Sequence, residues 1–176
     1  IGYKAFYGCE KLKEVRIPQE VSCINSYAFG GCTRLEDITL SYSLTTIGER
    51  AFYRCAYLRN ILIPESVVNI GHYAFEDCTG LNEVIIRGNI EVLEPGTFSG
   101  CERLENITLP DTLREIKKEV FINCARLSSI YIPEGVEYIG NSVFLNCTGL
   151  AEIHMPSSIK YLGKDVFENT DYLFLS

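Results

Sequence analysis

Phenylalanine returns every 23 residues along the whole chain, at Phe6, Phe29, Phe52, Phe75, Phe98, Phe121, Phe144 and Phe167, without one insertion or deletion. A period held that strictly requires every repeat to take the same shape and to stack on its neighbours. Counted from each Phe, position +3 is Cys9, Cys32, Cys55, Cys78, Cys101, Cys124 and Cys147, then Thr170. Position +6 is leucine in all eight repeats, from Leu12 to Leu173. Two wholly apolar rows follow at +9 (Val15, Ile38, Ile61, Val84, Ile107, Ile130, Ile153) and +11 (Ile17, Leu40, Ile63, Ile86, Leu109, Ile132, Met155). A second apolar pair occupies +15 and +18, and proline separates the two pairs at +12 in five of seven repeats.

This pattern predicts a solenoid with one coil per repeat. The segment L-x-x-[IV]-x-[ILM] ends on the apolar/polar alternation of a strand, and the proline behind it stops that strand. Glycine at +19 (Gly2, Gly48, Gly71, Gly140, Gly163) suggests a tight bend before A-F-x-x-C, which is expected to form one turn of helix or 3₁₀ helix. A single coil buries too little to offset its ordering entropy, so the apolar faces must be shared between neighbours.

The segments "IPESVVNIGHYAFEDCTGL" and "IPEGVEYIGNSVFLNCTGL" carry a consensus that resembles the BspA-like, or treponemal-type, bacterial leucine-rich repeats, and the resemblance covers essentially the whole chain. It implies an α/β repeat solenoid: a right-handed superhelix with a concave parallel sheet and short helical or 3₁₀ turns on the other side. It also implies an extracellular or cell-surface protein acting in adhesion or partner binding, the partner being another protein or a host or extracellular-matrix component. The alternative architecture is a parallel β-helix, disfavoured by the A-F-x-x-C turns and by one clear strand per coil. Residues 1–176 are expected to form a single array of about seven and a half repeats. Because Ile1 sits at +18 and Ser176 at +9, the chain is expected to be a fragment of a longer protein, and to act as a monomer. Around "RGNIEVLEPGTF", Arg87 replaces the proline and Glu94 the glycine, so the edge of that coil is expected to be reshaped.

The chemistry-bearing residues are few. Seven of eight cysteines share one phase, so their thiols repeat about every 4.8 Å with parallel Cβ vectors, a geometry unsuited to disulfides. They are expected to be free, buried, small core residues. Cys23 stands off this ladder and is the candidate reactive thiol. No C-x₂₋₄-C pair offers a zinc site, and no cofactor is called for. His72 and His154 fall at different phases, so no catalytic residue is assigned. The sequons at Asn106 and Asn146 are given no role. An apolar content of 47% with 22% charged residues speaks for a folded chain. A net charge of -7 argues against nucleic acid as a partner, and no apolar run reaches the roughly 20 residues of a membrane span.

What varies between coils is the outward face of the strand. Position +8 reads Glu14, Asp37, Asn60, Glu83, Asn106, Ser129, Glu152, and +10 reads Arg16, Thr39, Leu62, Ile85, Thr108, Tyr131, His154. The candidate binding site is the row Leu62, Ile85, Thr108, Tyr131 and His154, rimmed by Glu83, Asp37 and Glu152. A structural spacer, or an appendage of a larger surface enzyme, is the alternative role. Tyr3, Tyr27 and Tyr73, near +21, mark the opposite bend as the alternative surface.

Overall fold

The structure, a computed structural model, describes residues 1–172; Leu173 and Ser176 lie outside the described residues. Its strands, numbered in chain order, form two sets. The longer set is β1 (Glu14–Arg16), β3 (Asp37–Thr39), β5 (Asn60–Ile63), β7 (Glu83–Ile86), β9 (Asn106–Thr108), β11 (Ser129–Tyr131) and β13 (Glu152–His154). The shorter set consists of two-residue strands: β2 (Cys23–Ile24), β4 (Thr46–Ile47), β6 (Asn69–Ile70), β8 (Val92–Leu93), β10 (Glu115–Ile116), β12 (Tyr138–Ile139) and β14 (Tyr161–Leu162). Each coil therefore contributes two strands, not the single one expected from the sequence. All pairings are parallel and join residues one period apart, as in Ile61 opposite Val84 opposite Ile107. The longer set pairs in three segments, β1-β3, β5-β7-β9 and β11-β13, instead of one continuous sheet.

The expected helical turn is not formed: no helix occurs among the described residues. In its place the chain makes overlapping β-turns. In the fourth coil the Ala74 N–H donates to Gly71 O (3.2 Å) and the Cys78 N–H to Phe75 O (3.2 Å). Tyr73 and Asp77, third in these two turns, have φ of 55° and 58°, the left-handed position that a type II turn demands. The amides between them point along the stack, so that Tyr73, Phe75 and Asp77 donate to Pro95, Thr97 and Ser99 of the next coil at 2.8–2.9 Å. A helix would aim all its N–H groups along its own axis and leave those neighbouring carbonyls without donors.

The core runs as columns. The phenylalanine rings stack from Phe6 to Phe167 at centroid spacings between 5.1 and 5.9 Å, tilted by no more than 10°, an offset-stacked arrangement. Of the +19 glycines, Gly48, Gly71, Gly140 and Gly163 serve close approach and not a special φ: a Cβ on Gly71 would lie 2.5 Å from the Glu49 amide nitrogen. Ser41, in a proline position, and Thr97, in an alanine position, are buried, and each donates its hydroxyl to a carbonyl, of Val21 (2.8 Å) and Glu94 (2.7 Å) respectively.

The irregular stretch is reshaped only in its first part. The strand-exit turn, closed by Val67 N–H to Pro64 O and by Leu113 N–H to Pro110 O in the adjoining coils, is not formed at Arg87 to Ile90. Further on, Gly96 takes the left-handed position (φ 63°), and its N–H donates to Lys118 O.

Candidate functional site

Alternation along the longer strands sorts their side chains. In β5, Ile61 and Ile63 are buried while Asn60 and Leu62 are exposed. Parallel in-register pairing then builds rows across the stack: Leu62 lies opposite Ile85, and Ile85 opposite Thr108. Leu62 is 42% exposed, and Ile85 is half-buried beside it. Tyr131 lies opposite His154, with its ring stacked on the imidazole at 4.5 Å and 10°. The His154 Nε2 is 3.7 Å from Glu134 Oε1. The hydrogen-bonded ladder under the expected row is interrupted once, between Thr108 and Tyr131, since β9 and β11 are adjacent but not hydrogen-bonded.

Of the acidic rim, Glu83 stands between Asn60 and Asn106, Asp37 opposite Glu14, and Glu152 opposite Ser129. All three are exposed. Among the described residues none of them has an ion-pair partner. The face therefore combines an exposed apolar strip with free carboxylates.

Sequence reasoning overlooked the flanks of β7. Gly80 precedes it and Gly88 follows it, each at a position where adjoining coils carry longer side chains. Two depressions result. The upstream one is lined by Tyr57, Arg59, Thr79, Gly80, Glu102 and Arg103, and continues to Asn60, Asn82 and Arg126. The downstream one lies beside Thr108 and is lined by Glu65, Arg87, Asn89, Asp111 and Thr112. The signal was present in the +5 and +13 rows, as a glycine interrupting long side chains.

The opposite bend holds a cation–tyrosine cluster. Lys4 Nζ is 5.1–5.4 Å from the ring centres of Tyr3, Tyr7 and Tyr27. The Arg50 guanidinium faces Tyr27, Tyr53 and Tyr73 at 4.8–5.9 Å. Its Nη1 donates to the Tyr27 hydroxyl (3.0 Å) and its Nε to Glu76 (2.9 Å); these bonds, the Tyr27 one first, hold Arg50 above its usual pKa.

The ladder cysteines are free, and six of them are buried. Cys9 departs from expectation and is exposed. Cys23 is half-buried, with its thiol 3.4 Å from Asn25 Oδ1. Among the described residues no group of three or more His, Cys, Asp and Glu is placed to hold a metal ion. No helix there is long and apolar enough to cross a membrane. His72 lies 3.3 Å from Glu94, so the two histidines have separate acidic neighbours.

Comparison with known proteins gives a consistent result. The model of the BspA type leucine-rich repeat region matches residues 1–95 and 81–174. A leucine-rich repeat protein of T. pallidum is 32% identical over 94% of this chain and 78% of its own, with a TM-score of 0.83. One from Bacteroides ovatus is 31% identical over 96% of this chain and 56% of its own, with a TM-score of 0.63. One from Eubacterium ventriosum is 29% identical over 93% and 44%, with a TM-score of 0.87. Curated protein sequences give no match. On this evidence the chain belongs to the BspA type leucine-rich repeat family.

Proposed function

We propose that the array is a non-catalytic protein-binding module of a secreted or surface protein, and that its contact surface is the outer face of the longer strands. The observation that carries this reading is the contrast between an almost invariant core and an individual exposed row. Leu62 and Tyr131, 42% and 56% exposed, project beside Glu83 and Glu152, which have no ion-pair partners among the described residues. An apolar centre with a polar rim is the make-up of an interface. Free carboxylates at that rim favour a partner with basic side chains around an apolar contact, as a protein or matrix component can offer.

A photo-crosslinking residue at Leu62 tests this directly, with one at Tyr53 on the opposite bend as its counterpart. Capture from Leu62, followed by at least tenfold weaker binding in a Leu62→Thr/Ile85→Thr/Tyr131→Thr variant of unchanged fold, supports the reading; tenfold is about 1.4 kcal/mol. Capture from neither position favours a spacer role and overturns it. Capture from Tyr53 alone favours the second surface, to which the exposed Tyr3 and Tyr7 around Lys4 lend the composition of a binding hot spot.

A further inference from the structure

In the +5 row the third to sixth coils carry Tyr57, Gly80, Arg103 and Arg126. The missing side chain at Gly80 cannot be restored, since a Cβ there would sit 2.3 Å from the Ala56 carbonyl oxygen. The gap is a depression walled by Tyr57, Arg59 and Arg103, and it opens toward Asn60, Asn82 and Arg126. Arg126 is engaged by Glu105 at 3.4 Å. The side chains of Arg59 and Arg103 have no acidic or hydrogen-bonding partner among the described residues. In a chain of net charge -7, two unneutralised guanidiniums beside one depression are a local inversion of the overall field.

We propose that this depression is an anion-recognition subsite that takes a carboxylate of the protein docked on the outer face, and in that respect it rests on the function proposed above. Guanidinium forks match a planar carboxylate through paired N–H donors. Glu102 also lines the depression and offsets part of the two guanidinium charges, which leaves a net attraction for a single carboxylate. Asn60 belongs both to this depression and to β5, two positions from Leu62. One protein segment can therefore place an acidic residue here and apolar residues over Leu62 and Ile85. Because Glu83, Asp37 and Glu152 repel a carboxylate elsewhere on the face, the subsite fixes the orientation of that segment.

The test is a titration of the whole chain with a capped single glutamate (N-acetyl, N-methylamide) at constant ionic strength, following the arginine Cζ resonances by NMR. Saturable shifts at Arg59 and Arg103 in the millimolar range are expected, with Arg16 and Arg34 drifting only linearly, and loss of saturation at Arg103 in Arg59→Gln and at Arg59 in Arg103→Gln. Equal linear drift at all arginines overturns the subsite. Inorganic sulfate binding at least tenfold tighter overturns the carboxylate assignment. This titration needs no partner, so its failure is distinct from a failure of capture at Leu62.

Discussion

The Cys78 thiol donates to the Phe52 carbonyl oxygen of the preceding coil at 3.1 Å, and the same oxygen accepts the Cys55 amide of its own coil. The relation repeats along the ladder, from Cys32 on Phe6 to Cys147 on Phe121. Cysteine at +3 therefore fills a narrow strip of core and also joins coils through a weak donor. Cys78→Ala is expected to destabilise by about 1–2 kcal/mol, from a small cavity and a lost hydrogen bond. A shifted urea midpoint at unchanged slope is the readout. A variant as stable as the parent would leave the thiol without an energetic role.

Burial also governs titration of the ladder. It pushes the Cys32 thiol up to about 11 and Cys78 to about 12, and raises Cys55, Cys101 and Cys124 well above 9.0. A thiol held above its unfolded value stabilises the fold fully below that value; at higher pH only the unfolded chain gives up the proton. Stability should thus fall from about pH 9 upward, by as much as about 1.4 kcal/mol per pH unit for each such thiol. Unfolding in reductant at pH 8 and pH 10 measures this, and Cys55→Ala/Cys78→Ala should flatten the slope. An unaltered slope would assign the loss to other groups. At pH 8, alkylation should reach Cys9 and Cys23 first.

The turns offer a test that separates them from the expected helix. Ser142 has φ 56°, and its N–H donates to Lys164 O at 2.8 Å. A left-handed backbone costs an ordinary residue about 1–2 kcal/mol and glycine almost nothing. Ser142→Gly should accordingly match or exceed the parent in stability, and Ser142→Val should fall below it by about 1–2 kcal/mol. In a helical turn the order would reverse, since glycine is the poorer helix former. Chemical denaturation of the pair decides.

Phe75, Cys78, Leu81 and the two apolar rows were legible because each position recurs in every coil and its burial follows from the period. The type II turns were half-legible. Gly8, Gly31, Gly100, Asn123, Asn146 and Asn169 at +2, all with positive φ, spell the left-handed position in residues that favour it. Arg50, Tyr73 and Glu119 take it at +21 without any such preference, since the stacking amides impose it. Two-residue strands such as Val92–Leu93 are too short for alternation to appear in sequence. The Arg59–Arg103 depression escaped because it depends on a glycine that breaks a row, while periodicity directs attention to positions that do not change. Overall charge pointed away from it, since charge summed over a chain says nothing about where it lies.

Phe75→Ala tests how coils are coupled, and the hydrogen-bond directions give it a sign. The ring stacks on Phe52 at 5.2 Å and on Phe98 at 5.4 Å, so its removal should cost about 3–5 kcal/mol. On the turn side, the amides of Arg50, Phe52 and Arg54 donate forward to His72, Ala74 and Glu76 of the truncated coil, at 2.8–3.0 Å. Those of Gly96, Phe98 and Gly100 donate onward to Lys118, Val120 and Ile122. Loosening the fourth coil removes the acceptors of the third coil's amides and leaves the acceptors of the fifth in place. Hydrogen exchange should accelerate more at Arg50, Phe52 and Arg54 than at Gly96, Phe98 and Gly100, because local opening follows the bonds that are lost. Equal acceleration on both sides would show that the phenylalanine stack, and not the backbone ladder, transmits the damage between coils.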